Sequence, residues 1–177
     1  MAAEFAAVAL HRPSRPENIG GVMRAADVYG VKLVVLGGGE LPPEPLGHPT
    51  DTTQAWRRIP VVFADRVLDA LPDEYVPVAV ERVVEATPLP QFEHPERAMY
   101  LFGPENGSLD ETMLERCAHV VSIPGHECSN LAASVNVVLY DRIAKRWGRE
   151  RDAFPPTDGV LRGVRGGYEA RLDRDDD

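Results

Sequence analysis

Apolar runs alternate with segments whose apolar positions recur every three or four residues, from Phe5 to about Arg149. Phe5 to Leu10 reads as a buried strand. Glu17 to Tyr29 carries Val22, Ala25, Ala26 and Tyr29 at helical spacing, and Gly30 closes that helix. Lys32 to Leu36 is a second buried strand, ending in Gly37-Gly38-Gly39. A Pro-rich loop leads to a short strand at Pro60 to Phe63, a helix near Asp65 to Leu71 and a strand at Val76 to Val80. After a second Pro-rich connection the pattern predicts a strand at Ala98 to Phe102, a helix at Ser108 to Cys117, a strand at His119 to Ile123 and a long helix from Asn130 to about Arg149. Strands alternating with helices predict an α/β fold with a mainly parallel sheet flanked by helices.

Composition changes this picture at the C-terminus. From Glu150 to Asp177 the text is charged and glycine-containing with few apolar residues, so one domain over residues 1–149 and a flexible tail over 150–177 are expected. A chain of 177 residues buries roughly 70% of its unfolded surface and needs no disulfide or metal staple. Apolar stretches fall far short of the ~20 residues of a membrane span. The N-terminus, Met1-Ala2-Ala3-Glu4-Phe5, lacks the basic region of a signal peptide, which points to a cytoplasmic protein. Cys117 and Cys128 have no CxxC partner or histidine cluster beside them, which argues against a metal site and a disulfide framework. The net charge of -9, from 19 Lys plus Arg against 28 Asp plus Glu, argues against a generic polyanion binder and leaves room for a local basic patch.

Ligands of open α/β sheets sit beyond the carboxyl ends of the strands, here the loops after Leu10, Val80, Phe102 and Ile123. The first holds Asn18-Ile19-Gly20-Gly21-Val22-Met23-Arg24. A helical side chain leans back over the preceding turn, so Arg24 is expected across the space left by Gly20, with Asn18 at the rim of a niche for an anionic group. The plainer alternative makes Asn18 an N-cap and Arg24 a surface arginine. The loop after Phe102 holds Gly103-Pro104-Glu105-Asn106-Gly107-Ser108. There Gly103 admits close approach of a ligand, Gly107 can take a positive φ, and Ser108 with Glu111 suits a capping box. Glu105 has no part in that cap, so it is either a site residue or a solvated glutamate. The loop after Ile123 runs Pro124-Gly125-His126-Glu127-Cys128-Ser129-Asn130-Leu131 into a helix whose first half is small-sided, allowing close packing. Leu139, Ile143 and Trp147 make the inner stripe of its second half, and Arg142, Lys145, Arg146 and Arg149 an outer one. His126 and Cys128 lack the partners that a cysteine nucleophile requires.

Taken together, these segments resemble the SpoU-TrmH family of RNA ribose 2′-O-methyltransferases. Its Asn-x-Gly-x-x-x-Arg motif is met by Asn18, Gly20 and Arg24, and its Phe-Gly-x-Glu-x-x-Gly-like strand exit is approximated by Phe102, Gly103, Glu105, Asn106 and Gly107. Its third motif is met by Ile123, Pro124, Asn130, Leu131 and Tyr140-Asp141, with Cys128 standing where the family commonly has serine. The resemblance spans about Phe5 to Trp147 and is strongest to short, single-domain members that modify tRNA. It implies a Rossmann-like sheet with a C-terminal deep trefoil knot, an obligate homodimer and S-adenosylmethionine as methyl donor. By position, Val80, Gly103, Ile123, Cys128, Ser129 and Leu131 would hold the donor, while Asn18, Arg24, Glu105 and Asn130 would form the reacting site, with Glu105 orienting Arg24 or shaping the pocket. The expected substrate is RNA, most simply tRNA at the wobble nucleotide. Ribosomal RNA, or an idle knotted RNA-binding protein, are the alternatives.

The charge then has an address. Residues 40–96 hold 11 acidic and 4 basic side chains, residues 149–177 hold 8 and 6, and the motif-bearing remainder holds 9 and 9. Within that neutral part Arg12, Arg15 and Arg24 adjoin the first motif and Arg142, Lys145 and Arg146 follow the third, two patches for RNA with a modest salt dependence.

Overall fold

The computed structural model describes residues 5–149, so the expectation for 150–177 lies outside the described residues. The first compact unit runs to Ile143; from Ala144 the chain belongs to a second unit, of which only helix residues up to Arg149 are described. The strands are β1 (Phe5–His11), β2 (Leu33–Gly37), β3 (Val61–Ala64), β4 (Val76–Val80), β5 (Thr87–Pro88), β6 (Arg97–Phe102) and β7 (His119–Ser122). They form one sheet in the order β3-β2-β1-β6-β4-β7-β5, and every pairing is parallel. The helices are α1 (Pro16–Val28), α2 (Glu111–Glu115) and α3 (Leu131–Arg149).

Both faces of the central strands are buried, which is why β1 and β6 read as continuous apolar runs. Val8, Leu10, Tyr100 and Phe102 point to the side covered by Ile19, Val22 and Met23 of α1 and Val135, Val138 and Leu139 of α3. Ala7, Ala9, Met99 and Leu101 point to the other side, under Val67, Leu68 and Leu109. Gly21 permits the contact between the two long helices, since a Cβ there would stand 2.8 Å from that of Ala132.

Three expectations are corrected. The segment 65–71 makes only a single 3-10 turn at Val67–Ala70, because Leu71 precedes Pro72 and is held extended. The helix expected from Ser108 starts at Glu111 instead, capped by the carboxylate of Asp110, which accepts from the N–H of Met113 at 2.9 Å. Gly107 is not among the positive-φ glycines.

Candidate active site

The carboxyl ends of β4, β6 and β7 open into a cleft of about 350 Å³ lined by Val80, Glu81, Arg82, Phe102, Gly103, Pro104, Glu105, Gly107, Ile123, Pro124, Gly125, Glu127, Cys128, Ser129, Leu131 and Ser134. That size suits a small organic cofactor. All six residues expected to hold the donor line it: Val80, Gly103, Ile123, Cys128, Ser129 and Leu131. Val80, Phe102, Ile123 and Leu131 give it an apolar wall. A Cβ built on Gly103 would meet only ordinary contacts, with the Leu109 nitrogen at 3.4 Å and the Glu81 carboxylate at 3.6 Å. Packing within the chain therefore tolerates a side chain at 103, and the glycine keeps space open in the cleft, as a ligand lying against that backbone requires.

Beside the cleft a polar chain joins three segments distant in sequence. Glu105 accepts at one oxygen from the Asn18 amide at 2.8 Å and at the other from the Ser14 N–H and hydroxyl, both at 2.9 Å. The Asn18 carbonyl oxygen accepts from the Asn130 amide at 2.7 Å, and the Asn130 oxygen accepts from the N–H of Ala133 at 3.2 Å. A carboxylate accepts only, so Glu105 dictates which end of Asn18 faces it, and Asn18 in turn orients Asn130. Burial pushes the Glu105 carboxyl up, but the hydrogen bonds from Asn18 and Ser14 outweigh it and hold the group below the usual carboxylate range.

Asn18, Glu105 and Asn130 are thus brought together as the sequence suggests. Asn18 is no N-cap: Arg15 occupies that position, its carbonyl accepting from the N–H groups of Asn18 and Ile19. Glu105 turns its hydrogen bonds to Ser14 and Asn18 rather than to Arg24. The space above Gly20 is not open to Arg24 either, because a Cβ there would lie 2.2 Å from the Thr50 hydroxyl, which donates to the Glu17 carbonyl at 2.9 Å. Gly20 therefore seats the 48–51 loop, and Arg24 projects from the exposed line of α1, which runs through Glu17, Arg24 and Val28.

The basic residues divide. Arg12 and Arg15 are exposed near the cleft end of β1. Their neighbour His11 fits against Gly38, where a Cβ would lie 2.0 Å from its ring, and burial followed by the Arg12 charge holds its pKa below the usual histidine range. Arg142 corrects the expectation of an RNA contact. It is 5% exposed and donates to the carbonyls of Pro95 and Glu96, both at 2.6 Å, and to the Tyr100 hydroxyl at 3.0 Å. Tyr100 also meets His94 at 2.6 Å, and His94 meets Asp141 at 2.8 Å. Lys145 and Arg146 are half-buried in the last turns of α3, within the second unit.

Three residues at the site escaped the sequence reading: Ser14, Glu81 and Arg82. The Glu81 carboxylate accepts from the N–H of Leu109 and of Arg82, each at 2.9 Å, and the Arg82 guanidinium donates to the Cys128 sulfur at 3.6 Å. Both follow β4 directly, in a strand-exit loop the sheet rule marks out.

The described residues contain no cluster of three or more metal-ligating side chains and no helix long and apolar enough to cross a membrane. An arginine-bearing helix, a glycine strand exit and a polar chain beside a cofactor-sized cleft have counterparts among known proteins. A tRNA (cytidine/uridine/adenosine-2′-O-)-methyltransferase, TrmJ, of Pseudomonas aeruginosa (strain UCBPP-PA14) is 29% identical over 154 residues, which is 76% of this chain and 58% of that protein. The mouse tRNA (guanosine(18)-2′-O)-methyltransferase TARBP1 is 23% identical over 62% of this chain, which spans 7% of its length. The chain thus covers less than two thirds of these curated relatives. In fold it is similar to the SpoU methyltransferase AviRb of Streptomyces viridochromogenes, with a TM-score of 0.71 at 22% identity over 83% of this chain and 62% of that one. It is also similar to a protein whose structure concerns 2-OH methylation of C/U34 on tRNA, with a TM-score of 0.68 at 26% identity over 82% and 93%. The sequence model of the SpoU rRNA Methylase family matches residues 6–140, and the chain belongs to that family.

Proposed function

We propose that the protein transfers a methyl group from S-adenosylmethionine to a ribose 2′-hydroxyl of RNA, with tRNA as substrate and the wobble nucleotide as target. The observation that carries the reading is the junction of the cleft with the Glu105–Asn18–Asn130 chain: a cofactor-sized space bordered by oriented amides. AviRb has been crystallised with AdoMet, and the room kept at Gly103 fits such a group here. The preference for tRNA is supported by the activities of TrmJ and TARBP1 on tRNA and by the C/U34 structure. The family description names rRNA, which makes ribosomal RNA the second substrate to test.

Bound in the cleft, S-adenosylmethionine supplies an electrophilic methyl group on a sulfonium. In-line transfer then requires the chain to hold the alcohol in line and to let its proton leave late. Asn130, locked through Asn18 by Glu105, is placed to orient the ribose. Neither charged group suits the role of base: the oxygens of Glu105 are already engaged by Asn18 and Ser14, and a guanidinium does not deprotonate in proteins. Arg24 instead holds the adjoining phosphate and polarises the 2′-oxygen, and the proton passes to a phosphate oxygen or water. Arg12 and Arg15 add phosphate contacts near the same end of β1.

A second copy of the chain completes the site in this reading. The exposed line of α3 is apolar through Ala133, Val137 and Tyr140, and Val28 and Arg24 lie exposed on α1, which the Gly21–Ala132 contact sets beside it. A partner covering that surface would enclose Arg24. The expected knot is supported by the placement of β7 between β4 and β5, whose direct connection over residues 81–86 spans it. The enzyme is expected in the cytoplasm, where its RNA resides. Mass-spectrometric nucleoside mapping of tRNA and rRNA, with and without the enzyme, tests the assignment. One 2′-O-methylated nucleoside that depends on the enzyme and appears in tRNA supports it; a base-methylated product, or none, overturns it.

A further inference from the structure

The cleft holds three carboxylates and one Lys or Arg, and these charges are not equally occupied. Glu81 is engaged by the N–H groups of Leu109 and Arg82, and Glu105 by Ser14 and Asn18. Arg82 has five N–H donors, yet the bond it makes is to the Cys128 sulfur at 3.6 Å, and a thiol sulfur is a weak acceptor. Glu127 is exposed and has no hydrogen bond or ion pair among the described residues. Arg82 and Glu127 therefore stand at the mouth of one cleft, both lining it with Cys128, with opposite charges that are not spent on each other. The remaining wall, Val80, Phe102, Ile123 and Leu131, is apolar and suits the flat nucleoside body of a ligand.

A ligand that satisfies this lining has an apolar, aromatic body and an end carrying both signs of charge. The amino-acid end of S-adenosylmethionine has that form, an α-carboxylate beside an α-ammonium. An RNA phosphate does not, because Glu81 and Glu127 beside Arg82 repel a polyanion while welcoming a zwitterion. Resting on the cofactor reading above, we propose that Arg82 and Glu127 form the subsite for the amino-acid end of the cofactor. Arg82 leaves the Cys128 sulfur to take the carboxylate, and Glu127 takes the ammonium. A guanidinium parked on a poor acceptor is released at little cost, and its charge-assisted bond to a carboxylate is much the stronger. The pair thereby selects cofactor and its demethylated product over adenine nucleosides that lack the amino-acid end.

The test compares two ligands by calorimetry on the full chain: S-adenosylhomocysteine, which carries the amino-acid end, and 5′-methylthioadenosine, which does not. Arg82→Ala is expected to weaken S-adenosylhomocysteine about ten- to hundredfold, Glu127→Gln is expected to weaken it less, and both are expected to leave 5′-methylthioadenosine within about twofold of wild type, which also reports that the variant cleft is folded. A parallel loss of both ligands would mean that the residues merely shape the cleft and would overturn the proposal. So would an unchanged S-adenosylhomocysteine affinity, including the case in which Arg82→Ala weakens RNA alone. Wild-type protein that binds neither ligand overturns the subsite together with the cofactor reading beneath it.

Discussion

Two polar networks border α3, and they teach different lessons. At its start Asn130 joins Asn18, Glu105 and Ser14 beside an open cleft. Three turns on, Arg142 joins Tyr100, Pro95 and Glu96 beneath the sheet-facing side of the helix. Both are built from residues that chemistry favours in active sites. The second is closed: Arg142 is 5% exposed and its donors end on acceptors that the chain itself supplies. The first borders a cleft that also holds Arg82 and Glu127, and Arg24 is exposed on the same helix as Asn18. What marks a site here is polar capacity left over beside a cavity, and a charged residue alone does not mark it.

Arg24 and Arg142 separate the two regions most sharply. Arg24→Ala is expected to lower single-turnover methyl transfer about a thousandfold, the scale of losing one transition-state donor, while the donor affinity and thermal midpoint stay near wild type. Arg142→Ala reverses that pattern. It removes the donors to the Pro95 and Glu96 carbonyls and one of the partners of the Tyr100 hydroxyl, which keeps His94, and is expected to cost about 3 kcal/mol in denaturant unfolding, with RNA affinity of the folded protein unchanged. A stable Arg142→Ala protein with weakened RNA binding would restore the outer-face reading.

Glu105→Gln comes next. It keeps the shape but loses the charge that fixes Asn18, so turnover is expected to fall about tenfold or more, with about 1–2 kcal/mol of stability. The pH dependence follows from the depressed carboxyl: its stabilisation is fully present above the unfolded value near ~4.3 and is lost as pH falls through the lower folded value. The Asn18 side-chain amide resonances should therefore hold their positions from neutral pH down to the ordinary carboxylate range and move only below it. Movement at higher pH would mean that the carboxyl is not held ionised by these bonds.

Gly103→Ala probes the cleft from the cavity side. The chain has room for the Cβ, so stability should change by less than about 0.5 kcal/mol, while S-adenosylhomocysteine binding weakens about tenfold. The smallest expected effect is the salt dependence of RNA binding. With Arg12, Arg15 and Arg24 as the phosphate contacts, the logarithmic slope should be near ~2 in magnitude for single-stranded RNA, and a much steeper one would demand further basic contacts.

Much of this was legible in the chain because the signals are local. Continuous apolar runs gave the central strands, and the six residues that the family resemblance assigned to the donor all line the cleft. Some of the errors arise from contacts between distant segments, others from local signals that were outweighed. Nothing near Gly20 announces that Thr50 fills its space, whereas Asp110, the residue that caps the second helix, was a local alternative to Ser108. Arg142 was readable in hindsight: it lies at i+7 from Val135 and i+3 from Leu139, both buried, so helical spacing already placed it on the inner face. Charge type outweighed position in assigning it. Arg82 and Glu127 stand in loops the sheet rule singled out, but only the fold shows which of their charges remain unspent.

Methyl transfer from this cleft to a ribose hydroxyl leaves a product that alkali identifies directly. RNA is incubated with the enzyme and S-adenosylmethionine labelled in its methyl group, then hydrolysed with base, which cleaves every linkage that has a free 2′-hydroxyl. The label is predicted to survive in alkali-resistant dinucleotides and to be absent with Arg24→Ala. Label released in mononucleotides, or no label in RNA, would contradict the account.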